Sequence, residues 1–208
     1  EIHEKYFETF LIKLKLYKLR SKVNFSINKD IVSIIIFAND NYILQEAIIS
    51  FLDPRHPNLG QKILLKNKDL KKIKKINESN FAKYKEILMK NLVPYTPDDL
   101  KIDKSLLLEN NFENINAIDW DKGCYVGQEI TARMKYRALL KKQLYTLQII
   151  TGDIAIGDEI IINKIIFGKV ISKVNKYILS MLKIDLVSEK RKNKESIKTN
   201  DSTILKFL

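Results

Sequence analysis

Asp121-Lys122-Gly123-Cys124-Tyr125-Val126-Gly127-Gln128-Glu129 is the most informative stretch of this 208-residue chain. Ile118-Asp119-Trp120 ahead of it has the texture of a short strand, and Asp121-Lys122-Gly123 is turn chemistry. Gly127-Gln128-Glu129 then leads into Ile130-Thr131-Ala132-Arg133-Met134, which predicts a helix. Two glycines around a cysteine permit positive φ values and close backbone approach. Amides at a helix start favour negative charge, and Lys122 adds a cation, a setting that favours the thiolate. Gln128 and Glu129 offer hydrogen bonds to the amine and amide edges of a heterocycle. The competing reading of Cys124 is a small buried hydrophobe, and the residues alone leave both open.

Working outward, Phe7, Phe10, Leu11 and Leu14 recur at helical spacing and predict a helix with one buried face. Val23, Phe25 and Ile27 alternate with polar residues, Asn28-Lys29-Asp30 is a turn, and Ile31 to Phe37 is apolar throughout, so a β-hairpin is expected. Residues 41–52 fit helix or strand equally. Pro54 and Pro57 interrupt regular structure, Ile63-Leu64-Leu65 is a short strand, and Lys66 to Lys75 is a solvated face or loop. Phe81, Tyr84, Ile87 and Leu88 share one helical face, and Pro94 and Pro97 mark an irregular connection.

From Lys141 short apolar segments recur at 144–150, 160–162, 165–171 and 177–184, separated by Gly152, Gly157 and an Asn-Lys pair. That rhythm predicts a small antiparallel barrel or sandwich. The expected organisation is an α+β region over 1–139, a C-terminal β-barrel over 140–187 and a charged, disordered tail over 188–208.

Composition narrows the function. The formal net charge is +12, but the lysines are scattered and accompany many Ile and Asn residues. Composition therefore explains the charge better than nucleic-acid recognition does, though a positive field suits an anionic small ligand. No run approaches the roughly 20 apolar residues of a membrane-spanning helix, so no membrane partner is expected. Cys124 is the only cysteine, so no internal disulfide forms, consistent with a reducing compartment. With His3 and His56 it gives too few soft ligands for a structural zinc site, and one thiolate does not hold a conventional iron–sulfur cluster, so no resident metal is expected.

Lys122-Gly123-Cys124-Tyr125-Val126-Gly127-Gln128-Glu129 resembles, without a break, the K-G-C-Y-x-G-Q-E signature of the YgfZ family of GcvT-like, folate-binding proteins that support iron–sulfur cluster assembly. Leu16 to Val23, Phe51-Leu52-Asp53-Pro54-Arg55 with Leu59-Gly60, Leu106 to Phe112 and Lys135-Tyr136-Arg137 agree with the same pattern, so the resemblance spans 5–185. It implies a GcvT-like α+β region followed by a small antiparallel C-terminal barrel. It also implies a further α/β segment upstream of Glu1 that this sequence lacks. Two positions depart from the pattern: Ala138 replaces a glycine, and Val93-Pro94-Tyr95-Thr96-Pro97-Asp98-Asp99 replaces a glycine-containing turn. Looser geometry is expected at both.

The resemblance implies a tetrahydrofolate ligand and iron–sulfur client or assembly proteins as partners. Cys124 becomes the candidate reactive thiol. Lys122, Gly123, Tyr125, Gly127, Gln128 and Glu129 shape its pocket, Glu109 matches a pterin-contacting glutamate, and Arg20 and Arg55 match basic positions that bind the folate tail or pair with acidic neighbours. The implied role is an accessory factor rather than an enzyme, cytoplasmic in a bacterium or in the mitochondrial matrix of a eukaryote. The alternatives are a tetrahydrofolate-dependent aminomethyl transferase and a tRNA-modification-associated protein.

Overall fold

The computed structural model describes residues 2–37, 43–73, 80–137, 139–193 and 195–208. They form two compact units, residues 1–51 with 61–76, and residues 52–60 with 77–208. Ala138 and part of the 66–75 lysine stretch lie outside the described residues.

The first unit holds helix α1 (Phe7–Lys18) and a sheet of β1 (Ile31–Ile36), β2 (Ala47–Leu52) and β3 (Gln61–Lys66), in the order β1-β3-β2. The 7, 10, 11, 14 periodicity does produce a helix; Phe7, Leu11 and Leu14 are half-buried and Phe10 is exposed, so the expected face is only partly covered. The expected hairpin of 23–27 with 31–37 is also corrected. Residues 23–27 adopt no strand, and β1 pairs antiparallel with β3 instead. The register explains the choice. It sets Ile34 opposite Ile63 and Val32 opposite Leu65 on one face, apolar cross-strand pairs in which the β3 partners are completely buried. The core of this sheet is Ile36, Ile63 and Leu65, the last two fully buried. The ambiguity over 41–52 resolves into strand for 47–52.

In the second unit, α2 (Phe81–Lys90) begins at Asn80, whose side chain accepts the Lys83 N–H and so caps the helix. Its face carries Leu88 onto Leu59, Val93 and Ile115, and Met89 onto Leu144, Tyr177 and Leu179. The Val93–Asp99 segment is not loose. The buried Asp99 carboxylate accepts the Tyr95 N–H at 2.6 Å, and the Asp99 N–H returns to the Tyr95 carbonyl at 2.8 Å. A side chain thus does the work expected of the missing glycine turn. Helix α3 (Gln128–Tyr136) confirms the helix read after the cysteine, whereas Ile118-Asp119-Trp120 forms no strand.

The remainder is a six-stranded antiparallel sheet of β4 (Lys142–Thr151), β5 (Glu159–Ile162), β6 (Ile165–Val174), β7 (Tyr177–Lys183), β8 (Ile197–Lys198) and β9 (Ile204–Phe207). Its order is β5-β6-β7-β4-β9-β8. The sheet curls into a nearly closed barrel. Its two ends are tied where the Asn200 N–H donates to the Ile161 carbonyl at 3.0 Å. Leu147, Ile160, Phe167, Val170, Ile178 and Leu182 fill its interior. The Asn163-Lys164 pair sits with φ of +48 and +66 between paired Ile162 and Ile165, the two left-handed residues of a tight hairpin. Gly168 lies opposite Leu182, where an added Cβ would stand 2.9 Å from the Leu182 Cα and collide with the Met181 carbonyl oxygen. The strands cross too closely there for any side chain.

The expected disordered tail over 188–208 is corrected. Helix α4 (Ile184–Lys192), β8 and β9 occupy this region. Val187, Ile197 and Leu205 are at most 1% exposed and join the barrel core. The charges that suggested disorder lie on exposed positions, while a few widely spaced apolar residues do the folding. The intervening turn is fastened by Thr199 Oγ1, which accepts the Thr203 N–H, and by Thr203 Oγ1, which donates to the Asp153 carbonyl at 2.9 Å. No helix among the described residues is long and apolar enough to cross a membrane.

Candidate functional site

Cys124 is exposed. It lies on the loop between Trp120 and α3, and both ends of that loop are fixed. At the downstream end Gly127 precedes the helix with φ +89 and ψ −1, a left-handed conformation that costs an L-residue roughly 1–2 kcal/mol. The Gln128 N–H donates to the Tyr125 carbonyl, and the Gln128 side-chain oxygen accepts the Tyr125 N–H, each at 3.2 Å. These reciprocal bonds close a tight turn just after the cysteine. Lys122 places its ammonium 4.6 Å from the Tyr125 ring centroid, a cation–π contact that folds the loop back over its own aromatic.

At the upstream end Trp120 is held by three partners. Its indole N–H donates to Glu113 Oε1 at 3.0 Å, Lys135 stands over its ring at 4.1 Å, and Tyr136 meets it edge-on at 6.0 Å. Lys135 also forms an ion pair with Glu113. Lys135 and Tyr136 are read from sequence only as part of a pattern, and Trp120 and Glu113 are assigned no role. An indole flanking a glycine-rich loop, with aromatic and basic residues one helix later, is the signal that marks such an anchor.

The remaining sequence-selected residues are dispersed. Gly123 has open space where a Cβ would stand, so no packing demand explains it. Glu129 forms an exposed ion pair with Arg133 at 2.5 Å, four residues on along α3. Glu109 is buried, and its carboxylate lies 3.5 Å from the Lys142 ammonium while its backbone carbonyl accepts the Leu144 N–H. Arg55 resolves in favour of pairing with an acidic neighbour. It grips buried Asp53 through Nε and Nη2 at 2.9 and 2.6 Å and donates to the Tyr84 hydroxyl at 3.1 Å. The Asp53 hydrogen bonds hold the guanidinium still more firmly protonated than usual. Arg20 is exposed in the first unit.

A cleft of about 290 Å³ opens in the second unit. Leu108, Met134 and Leu140 give it an apolar floor, while Glu113, Asn114 and Gln143 add polar groups. Cys124 does not line it, but the cleft and the cysteine loop share the Glu113–Lys135 pair. Asn111, at the cleft wall with φ +66, accepts from the Asn114 amide and donates to the Leu92 carbonyl. Among the described residues no group of three or more His, Cys, Asp or Glu side chains is placed to hold a metal ion.

No family model matches the chain. Curated proteins do. It is 27% identical over 160 residues to "Iron-sulfur cluster assembly factor IBA57 homolog, mitochondrial" of Dictyostelium discoideum, covering 70% of this chain and 39% of that protein. It is 25% identical over 162 residues to the protein of the same name from Coccidioides immitis (strain RS), covering 72% of this chain and 38% of that one. It is 23% identical over 145 residues to "Iron-sulfur cluster assembly factor IBA57, mitochondrial" of Mus musculus, covering 65% and 40% respectively. The chain thus spans about two fifths of the length of these relatives. These relatives are named as iron–sulfur cluster assembly factors, in agreement with what the signature around Cys124 implies.

Proposed function

We propose that this chain supports the assembly or repair of iron–sulfur proteins, with Cys124 as the thiol it presents. The observation that carries the reading is the exposure of Cys124 on a loop fixed at both ends. A cysteine kept for packing would be buried, and a cysteine on a fully mobile loop would gain nothing from the Trp120 anchor. One thiolate supplies one ligand, so a client or assembly protein must bring the others when a cluster is in transit. In a eukaryotic cell the reading places the chain in the mitochondrial matrix, as the names of its relatives suggest.

Tetrahydrofolate is proposed as the ligand. The cleft supports it by size and lining. Its roughly 290 Å³ suits a pterin-sized ring, which the apolar Leu108 and Met134 and the polar groups of Glu113, Asn114 and Gln143 would hold. Bound folate would contribute a reduced pterin beside the Glu113–Lys135 pair. Arg55, engaged on Asp53, takes no part in holding the glutamate tail in this reading.

The deciding experiment is complementation in cells lacking their own homologue, using this chain and a Cys124→Ser version, with the activity of a cluster-dependent enzyme as readout. Rescue by the first alone supports the reading, and equal rescue by both removes Cys124 from it. Folate is tested separately. Saturating tetrahydrofolate under reducing conditions should raise the melting temperature, and an unchanged melting temperature removes folate without touching the thiol.

A further inference from the structure

We propose that occupancy of the cleft controls how firmly the Cys124 loop is held, with Glu113 and Lys135 as the shared residues that couple the two. This inference rests on the reading of the cleft as a ligand site and adds a regulatory link to it. The first ground is how the loop is moored. Among the described residues no backbone-to-backbone hydrogen bond joins residues 118–124 to another segment. The Asp121 N–H donates locally, to Asp119 Oδ1 at 2.9 Å. The upstream end of the loop is therefore held through the Trp120 side chain.

The second ground is what holds Trp120. Two of its three partners, Glu113 and Lys135, line the cleft, whereas Trp120 and its third partner, Tyr136, do not. Glu113 Oε1 is shared, because it accepts from Lys135 as well as from the indole. Glu113 Oε2 has no partner among the described residues, and an ammonium carries more donors than the one Lys135 uses there. The pair thus keeps an acceptor and spare donors for a ligand that presents an N–H beside a carbonyl, without giving up either hold on Trp120.

The direction of the coupling follows from ordering. The Glu113 and Lys135 side chains are 41% and 33% exposed, and an ion pair this open to water is weakly held. A ligand bound to both residues fixes them, and the Trp120 anchor then forms on side chains that are already placed. Coupling between two sites is reciprocal. The ligand tightens the mooring of the loop, and an intact mooring tightens the ligand by the same factor. Cys124, a few residues beyond Trp120, is presented in a more fixed position when the cleft is filled.

The test measures tetrahydrofolate binding to the full chain by equilibrium dialysis under anaerobic, reducing conditions. The amides of residues 121–126 are followed by hydrogen–deuterium exchange with and without it. Saturating tetrahydrofolate should slow exchange at 121–126 by about fivefold. Trp120→Phe keeps a ring but removes the indole N–H. It should weaken tetrahydrofolate by a similar factor and cancel the effect on exchange, although residue 120 does not line the cleft. Tyr136→Leu, also outside the cleft lining, should weaken binding in the same direction and keeps the test valid if the Trp120 variant fails to fold. Tetrahydrofolate that binds without slowing exchange at 121–126, or that binds both variants as tightly as the parent, overturns the coupling and leaves the folate reading standing. No binding to the parent overturns the folate reading and the coupling together.

Discussion

Replacing Leu205 by alanine tests whether residues beyond 188 belong to the barrel. Leu205 is fully buried and packs with Leu147, Ile178 and Ile197 in the barrel interior. Leu→Ala at a buried site costs about 2–5 kcal/mol, the spread reflecting how far the neighbours collapse into the cavity. β9 is a short strand next to the terminal β8, so some relaxation is available and a value near 3 kcal/mol is expected. At about 2–4 °C per kcal/mol for a chain of this size, the melting temperature should fall by roughly 6–12 °C. Thermal unfolding followed by circular dichroism is the assay. Leu208→Ala, where the side chain is 51% exposed, serves as the control and should move the midpoint by less than about 2 °C. If the two variants melt together within a degree, the C-terminal strand is not part of the folded core and the account of the tail is wrong.

Gly168→Ala should cost more than the about 1–3 kcal/mol typical of overpacking, because its Cβ would meet backbone of β7; chemical denaturation that shows no loss would refute the close crossing. Gly127→Ala has open space around it but keeps a φ of +89, so unfolding should show a loss of about 1 kcal/mol from backbone strain alone, and no loss would mean that the turn is not held as described. Cys124 in the native protein should react with a maleimide within about tenfold of its rate in denaturant; stronger protection would contradict its exposure. The Glu86 carboxyl is held down to about 2 by hydrogen bonds from Lys90 and Asn175. Its folded value lies below the unfolded one, so its contribution is complete above about pH 4.5 and disappears as pH falls toward about 2. Glu86→Gln should therefore cost about 1 kcal/mol at pH 7, after allowance for screening by water, and almost nothing at pH 2. An equal cost at both pH values would assign the effect to packing.

The periodicities of 81–90 and 128–136 and the short strands after 141 were legible because each is local, with spacing and turn residues in agreement. The barrel's β6–β7 and β5–β6 hairpins follow from Asn-Lys pairs that neighbouring residues alone specify. What failed depended on distant partners. Val23 to Ile27 has the alternation of a strand but loses β1 to β3, which begins some 25 residues beyond that strand, at Gln61. Ile197 and Leu205 are isolated among charges, and only the cavity they fill shows their purpose. At the candidate site, the glycines and the helix start were readable from the motif, and the exposure of Cys124 left the functional reading standing. Trp120's contacts with Glu113, Lys135 and Tyr136 were not readable, because they join segments that periodicity treats separately. Arg55 shows the opposite limit. A basic residue two positions from an aspartate was compatible with ligand binding or with a clamp, and geometry chose the clamp.

Strand order has a consequence for biosynthesis. β4 is flanked by β7 on one side and by β9 on the other, so one rim of β4 waits for residues 204–207 to leave the ribosome. At about 5–20 residues per second that wait lasts several seconds, during which an apolar trough stays open along the nascent chain. A translational pause or premature stop before Ile204 would leave that trough permanently unroofed, and such products should be drawn to chaperones and cleared by proteases rather than accumulate as a smaller working protein.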